Sequence, residues 1–459
     1  FHGEVCPQIN MFFEILQGQE DCLFLNVYTP SLRAERLPVM VLIHGGLFML
    51  GSGDDGIYGP DYFIESGIVL VTMNYRLGAL GFLTTEDNGA SGNAGLKDQV
   101  AALRWVRRNI AKFGGDPDNV TIFGGSSGAA CVHYHILSPM SKGLFTRAIM
   151  QSGSAMNTWA SSENGIKLTL RLAEALGAKN IAGDKARALE YLKAASPEDI
   201  ILNTCDRQFR ERIPCLFVPT VEKGVKPEEI FLPDFPWRIL NSGNFNKVPY
   251  IIGCTNKEGF FFLHRKQLYL INFGHTLIRN DMAKLMHKFY FDEKPIANEN
   301  ISNLANLYSD IYFYTDIIKS TKLHLKSSNS PIYFYVFSYA GSMNVYKFFS
   351  NVNTMHGDEL GYLFYLKLLF WKTPVNDSSE HHMTHTMTRL WTNFAKYGEP
   401  TPAGDPLNWK PVTDEKFSYL NISGLDTELR EDPNPERMNF WTKAYERASA
   451  LRDNYSGKV

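Results

Sequence analysis

The chain has 459 residues, 46 Lys and Arg against 48 Asp and Glu, and a formal charge of -2; 44% of it is hydrophobic. That balance leaves no electrostatic footprint for nucleic acid or an acidic membrane surface, while the apolar content is ample for a large buried core. No apolar run reaches the roughly 18 to 20 residues of a spanning helix: the most hydrophobic stretch, 361–371, is short and carries Lys367.

In chain order, the pattern predicts strands at 24–28 and 39–43, the second closing into Ile43-His44-Gly45-Gly46, and a third at 68–74. Leu96, Val100, Leu103, Val106, Ile110 and Phe113 then recur every three or four residues, which predicts a crossover helix over 95–113. A strand at 120–123 runs into Gly124-Gly125-Ser126-Ser127-Gly128, and another follows at 148–151. Residues 161–247 and 265–330 turn helical in pattern and read as insertions that cap a sheet and wall a pocket. Between them lies a strand at 250–253, followed by Asn256-Lys257-Glu258-Gly259; after them come a strand at 332–339 and His356-Gly357-Asp358-Glu359-Leu360. Several of the strands are continuous apolar runs, as in a parallel sheet covered on both faces, so the fold class is α/β. Length alone would allow about three domains, yet α/β folds of this size often form one, and 1–459 is read as one.

The chemistry sits at the strand ends. G-x-S-x-G after a β-branched run is the nucleophile elbow of α/β-hydrolases: the glycines let strand turn sharply into helix and leave the Ser126 hydroxyl exposed. Ser126, then Glu258, then His356 is the α/β-hydrolase order of nucleophile, acid and base. A serine hydroxyl needs a base to take its proton, and a histidine has an unperturbed pKa of about 6.5, so activity should fall as pH drops through roughly 6 to 7. Glu258 would hold the imidazole tautomer, and the amides of Gly46, Leu47 and Ser127 would face the oxyanion, with no role for the Ser127 hydroxyl. Plainer readings exist for each: a turn serine, a carboxylate at a helix start, a histidine in a surface loop. The remaining histidines, among them His133, His135, His264 and the His381, His382, His385 group, lack a partner set; that group has helical spacing that could hold a metal but reads better as a solvated helix face, so no metal or cofactor is assigned.

Beyond the triad, the chain resembles the type-B carboxylesterase and cholinesterase family, most of all its insect carboxylesterases. Glu20-Asp21-Cys22-Leu23-Phe24-Leu25-Asn26-Val27, Asn74-Tyr75-Arg76, Gly92-Asn93 with Asp98-Gln99, Phe113-Gly114-Gly115-Asp116-Pro117 and Leu390-Trp391-Thr392-Asn393-Phe394-Ala395 carry the likeness. It implies an α/β-hydrolase fold, a small-molecule ester as partner, and a Cys6–Cys22 disulfide, hence a secreted or lumenal setting rather than the cytoplasm. Cys205 and Cys215 are a possible second pair; Cys131 and Cys254 read as buried thiols. Members usually begin with small strands and a Gly- and Pro-rich segment that this chain lacks, so an N-terminal portion is either missing or shortened. Sequons stand at Asn300, Asn376, Asn421 and Asn454, with Asn119 at a buried strand start.

Three departures narrow the substrate. Leu47 replaces the usual glycine or alanine beside the oxyanion hole, Gly125 replaces the acid many relatives carry, and Ser127 stands where alanine is usual. The loop between Cys6 and Cys22 holds Phe12 and Phe13 but no tryptophan, the best face for a quaternary ammonium. An esterase for uncharged, apolar esters is therefore expected, with a non-catalytic adhesion relative and a slow organophosphate scavenger as the alternatives.

Overall fold

A computed structural model describes residues 2–10, 14–33, 36–205, 217–264, 276–345, 354–368 and 374–456. A short antiparallel pair, β1 (Gln8–Ile9) and β2 (Leu16–Gln17), precedes a nine-stranded sheet. The sheet strands are β3 (Leu25–Tyr28), β4 (Leu37–Ile43), β5 (Val69–Met73), β6 (Gly115–Gly125), β7 (Arg147–Gln151), β8 (Tyr250–Thr255), β9 (Ile332–Phe337), β10 (Ser418–Ile422) and β11 (Glu428–Glu431). Their order is β11-β10-β9-β8-β7-β6-β4-β5-β3, parallel throughout except at the outer strands β3 and β11. All seven expected strands are present; β10 and β11 were not anticipated.

The continuous apolar runs follow from the two covered faces. Along β4, Val39, Val41 and Ile43 point into one core while Met40 and Leu42 point into the other, so every position from Val39 to Ile43 is buried. The helix Ala94–Asn109 covers the first face with Leu96, Val100, Leu103 and Val106. On the opposite face the helix Ser379–Tyr397 inserts Met383, Met387, Leu390, Trp391 and Phe394. The predicted crossover helix tightens after Asn109 into a 3-10 turn over Ile110–Phe113 and stops at Gly114, whose φ is +82°. Within the two insertions, the described residues form helices and no strand.

Topology decides where chemistry can happen. The chain passes from β4 to β5 on one side, then returns through the crossover helix to β6 on the other side of β4. The segments leaving the carboxyl ends of β4 and β6 therefore diverge, and a crevice opens between them.

Cys6 and Cys22 are bonded, as the resemblance implies, and both are buried. Cys131 and Cys254 are buried free thiols, with burial pushing Cys131 up to about 12. Cys215, the side chain of Cys205, Phe12 and Phe13 lie outside the described residues. One sequon is misplaced: Asn421 is inside β10, 6% exposed, and its Oδ1 accepts a hydrogen bond from Ser338 Oγ at 2.8 Å. That asparagine is part of the sheet's interior, not a surface acceptor.

Candidate active site

Ser126 sits at the turn between β6 and the helix Ser127–Leu137 with φ 59° and ψ -126°, a conformation a side-chain-bearing residue holds only under constraint. Its N-H donates to the Gln151 carbonyl at the end of β7, 2.7 Å, and its carbonyl accepts from Ala130 to open the helix. Two glycines permit the close approach. A Cβ on Gly128 would lie 2.2 Å from the Ile43 oxygen, and one on Gly45 would lie 2.6 Å from the Gly125 oxygen, so the segment after β4 packs directly on the elbow. At Gly125 the nearest atom to such a Cβ is 3.8 Å away, which leaves room for a side chain.

Glu258 follows β8 and is fully buried, yet its carboxylate is well supplied with donors. Oε1 accepts from the Thr255 amide at 2.6 Å and from Ser152 Oγ at 2.5 Å, and Oε2 accepts from His356 Nδ1 at 2.6 Å. Since an ionised carboxylate only accepts, the ring proton is on Nδ1 and the lone pair on Nε2. His356 is presented by a turn closed by Asp358, whose Oδ2 accepts from the Met355 amide at 2.7 Å and from Asn344 Nδ2 at 3.0 Å. Phe261 and Phe313 pack on the imidazole, with ring centroids 5.2 and 4.8 Å away. Burial works against the charged ring, but the Glu258 charge and hydrogen bond, helped by the charges of Glu359 and Asp358, outweigh it and raise the His356 pKa above 6.5.

Ser126 and His356 line one cavity of about 150 Å³, together with Gly46 and Leu47. Here Gly46, Leu47 and Phe48 have φ of +121°, +57° and +61° in succession. Each left-handed side-chain-bearing residue costs roughly 1–2 kcal/mol, so the segment needs outside support. Gly46 O accepts from the amides of Met49 and Leu50, Phe48 O accepts from the Gly78 amide at 2.7 Å, and the Phe48 ring is buried beside Phe82 and Trp159. His44 anchors the start: its ring stacks on Tyr75 at 4.4 Å, and the Tyr75 hydroxyl donates to its carbonyl at 2.8 Å. Burial lowers its pKa to about 4, so it stays neutral. The sequence reading gave the Ser127 hydroxyl nothing to do; in fact it accepts the Phe48 N-H at 3.3 Å.

Sequence reasoning missed Ser152, which completes the Glu258 shell, and Glu359, to which it assigned no role. Glu359 is 1% exposed and faces the cavity, and its Oε1 accepts from the Tyr335 hydroxyl at 3.3 Å. Burial first, then the nearby Glu258 charge, lifts its pKa to about 7. Position was the available signal for Ser152, which directly follows β7, whereas Glu359 lies in the 3-10 turn Asp358–Tyr362, well past β9. Two histidines thought to lack partners have them. His133 and His324 share a hydrogen bond between their Nε2 atoms at 2.8 Å, and His135 bridges Gln99 and Ser141. Burial keeps all three rings neutral.

The carboxylesterase family model matches residues 1–441. Esterase FE4 of Myzus persicae is 36% identical over 460 residues, covering 92% of this chain and 79% of that protein. Juvenile hormone esterase of Tribolium castaneum is 35% identical over 463 residues, covering 92% and 78%. Among solved structures, juvenile hormone esterase from Manduca sexta with OTFP covalently attached superposes with a TM-score of 0.84 at 27% identity, over 97% of this chain and 88% of that one.

Proposed function

The chain belongs to the carboxylesterase family and is a serine-type carboxylic ester hydrolase of α/β-hydrolase fold, and we propose that Ser126, Glu258 and His356 perform its reaction on uncharged, apolar esters. The observation that carries the assignment is the Glu258–His356 hydrogen bond beside a cavity whose wall also holds Ser126. His356 Nε2 takes the Ser126 proton as Oγ attacks the ester carbonyl, forming the C–O bond and placing negative charge on the carbonyl oxygen. The amides of Gly46, Leu47 and Ser127 receive that oxyanion. The Nε2 proton then passes to the departing alkoxide as its bond to carbon breaks. Water, deprotonated by the same nitrogen, releases the acid and restores Ser126. Glu258 steadies the imidazolium through both halves and takes no proton.

The substrate class follows from the wall. Leu47, Leu50, Ile57, Phe261, Val345 and Leu366 make most of the described lining apolar, and the buried Glu359 retains its proton up to about pH 7. With Gly125 in place of an acid, a cationic alcohol would lack a carboxylate beside the nucleophile and forfeit about 1 to 2 kcal/mol. Leu47 sits partly buried at the oxyanion end, where its isobutyl group limits acyl bulk. A secreted or lumenal location agrees with the Cys6–Cys22 bond, which needs an oxidising compartment to form.

Hydrolysis of a short-chain aryl ester tests the assignment. Ser126→Ala should remove turnover by several orders of magnitude and abolish fluorophosphonate labelling. The wild-type enzyme should favour butyryl or longer apolar esters over choline esters of matched acyl length by at least about tenfold in kcat/KM. A labelled Ser126→Ala protein would overturn the nucleophile; a preference for choline would overturn the substrate class.

A further inference from the structure

We propose that the Ser127 hydroxyl is a positioning group for the oxyanion hole, distinct from the Ser127 amide that serves the hole directly. The inference rests on the catalytic reading above and adds a residue role to it. Three amides must converge on one oxygen, yet they come from two different segments: Gly46 and Leu47 from the turn after β4, Ser127 from the helix that follows the elbow. Their mutual spacing is not set by either segment alone. β4 and β6 are in register up to the pair Leu42 and Phe123, after which the two chains part. Beyond that point the close glycine contacts at Gly45 and Gly128 bring the segments together without orienting the peptides on either side of Leu47.

The hydrogen bond from Phe48 N-H to Ser127 Oγ, 3.3 Å, spans that gap. Phe48 and Ser127 are each 0% exposed, so water does not compete for either atom. Its effect on Leu47 follows from the two peptide planes that flank that residue. The plane carrying the Leu47 N-H contains the Gly46 carbonyl, which is held by the Met49 and Leu50 amides at 2.9 and 3.0 Å. In the next plane lies the Phe48 N-H, and there Ser127 supplies the acceptor. With both planes fixed, Leu47 keeps its left-handed φ of +57° and its amide keeps its direction toward the hole. Without the hydroxyl, the Phe48 N-H loses this acceptor, and the supports that follow it, the Gly78 bond to the Phe48 carbonyl in the next plane and the packing of the Phe48 ring on Phe82, do not refer to the elbow helix.

Ser127→Ala removes the acceptor and keeps the amide, so it isolates the side-chain role. On an aryl acetate, kcat should fall about tenfold while KM stays within about twofold, because the loss is felt only when charge develops on the oxygen. Affinity for a trifluoromethyl ketone, which forms a tetrahedral adduct on the serine, should weaken by the same factor as kcat/KM. The melting temperature reports any general loosening. Wild-type kcat and ketone affinity in Ser127→Ala would overturn the proposal, and so would a lower melting temperature with ketone affinity unchanged, which marks packing alone. The parent reading fails on a different result: turnover that survives Ser126→Ala.

Discussion

His356 is where buried charge bears on the proposed mechanism. As the proposed base it works only when neutral, so kcat/KM on a neutral ester should fall as pH drops through the pKa of the free enzyme. The sequence placed that fall at roughly 6 to 7 from the ordinary imidazole value. Glu258, at 2.6 Å, stabilises the protonated ring enough to overcome burial, which moves the fall upward, to a midpoint above 6.5. Glu359 pushes in the same direction once it has given up its own proton, near pH 7. Replacing it with the uncharged isostere, Glu359→Gln, should therefore shift the acid limb to lower pH; a pH profile of kcat/KM between 5 and 9 reads the shift, and an unchanged or higher midpoint would show that Glu359 does not act on His356. The three side chains proposed for catalysis could be picked out because each stands in a short motif at a predicted strand end and their order is specific. Ser152, Glu359 and the Ser127 hydroxyl were not legible. Each matters only through a partner far along the chain, such as Glu258, 106 residues beyond Ser152, and nothing local marks that encounter.

At the scale of elements, strands flanked by helices on both sides announce themselves by unbroken apolar runs, which is why β4 to β9 could be read. β10 could not, because Ser418-Tyr419-Leu420-Asn421-Ile422 mixes polar and apolar residues, and its strand character comes from parallel pairing with β9 and the Ser338–Asn421 bond. The C-terminal helix Pro435–Ser456 was equally silent, and its docking is polar as well as apolar. Trp441 Nε1 donates to the Tyr290 hydroxyl at 2.7 Å, and that hydroxyl donates to Asp310 Oδ2 at 2.5 Å. Arg437 lies 2.9 Å from the other Asp310 oxygen. Asp310 begins the π turn Asp310–Tyr314, which carries Phe313 against His356, so the helix is tied to the wall of the site. Tyr290→Phe leaves a buried indole N-H and a buried carboxylate oxygen each short of a partner. The expected loss is about 1–3 kcal/mol of unfolding free energy, measured by urea unfolding. A stability equal to wild type would mean that the helix is held by its apolar face alone.

For the whole molecule, the class of fold followed from strand and helix patterns, whereas the strand order did not. The return from β5 to the far side of β4 is a non-local pairing, and only the assembled sheet shows it bringing the turn after β4 and the elbow together. The same holds for the N-terminal loop, whose bridge the family resemblance implied but whose purpose it left open. Gln8 brackets Gly51 on the cavity wall, its Nε2 donating to the Gly51 carbonyl at 2.9 Å and its Oε1 accepting the Gly51 amide at 2.6 Å. Asn74, just past β5, donates to the carbonyls of Cys22 and Glu4, both at 3.1 Å. The loop is thus joined to the sheet by hydrogen bonds that do not involve sulfur. The bridge between residues 16 apart acts chiefly on the unfolded chain, by removing the entropy of an open loop, and is worth about 3 kcal/mol. Cys6→Ser with Cys22→Ser should therefore lower the urea midpoint followed by tryptophan fluorescence, while kcat/KM in the absence of urea stays within a few-fold of wild type. A midpoint that does not move would show that docking, not cross-linking, secures the loop. Loss of activity in the folded double variant would show instead that the bridge itself shapes the cavity wall at Gly51.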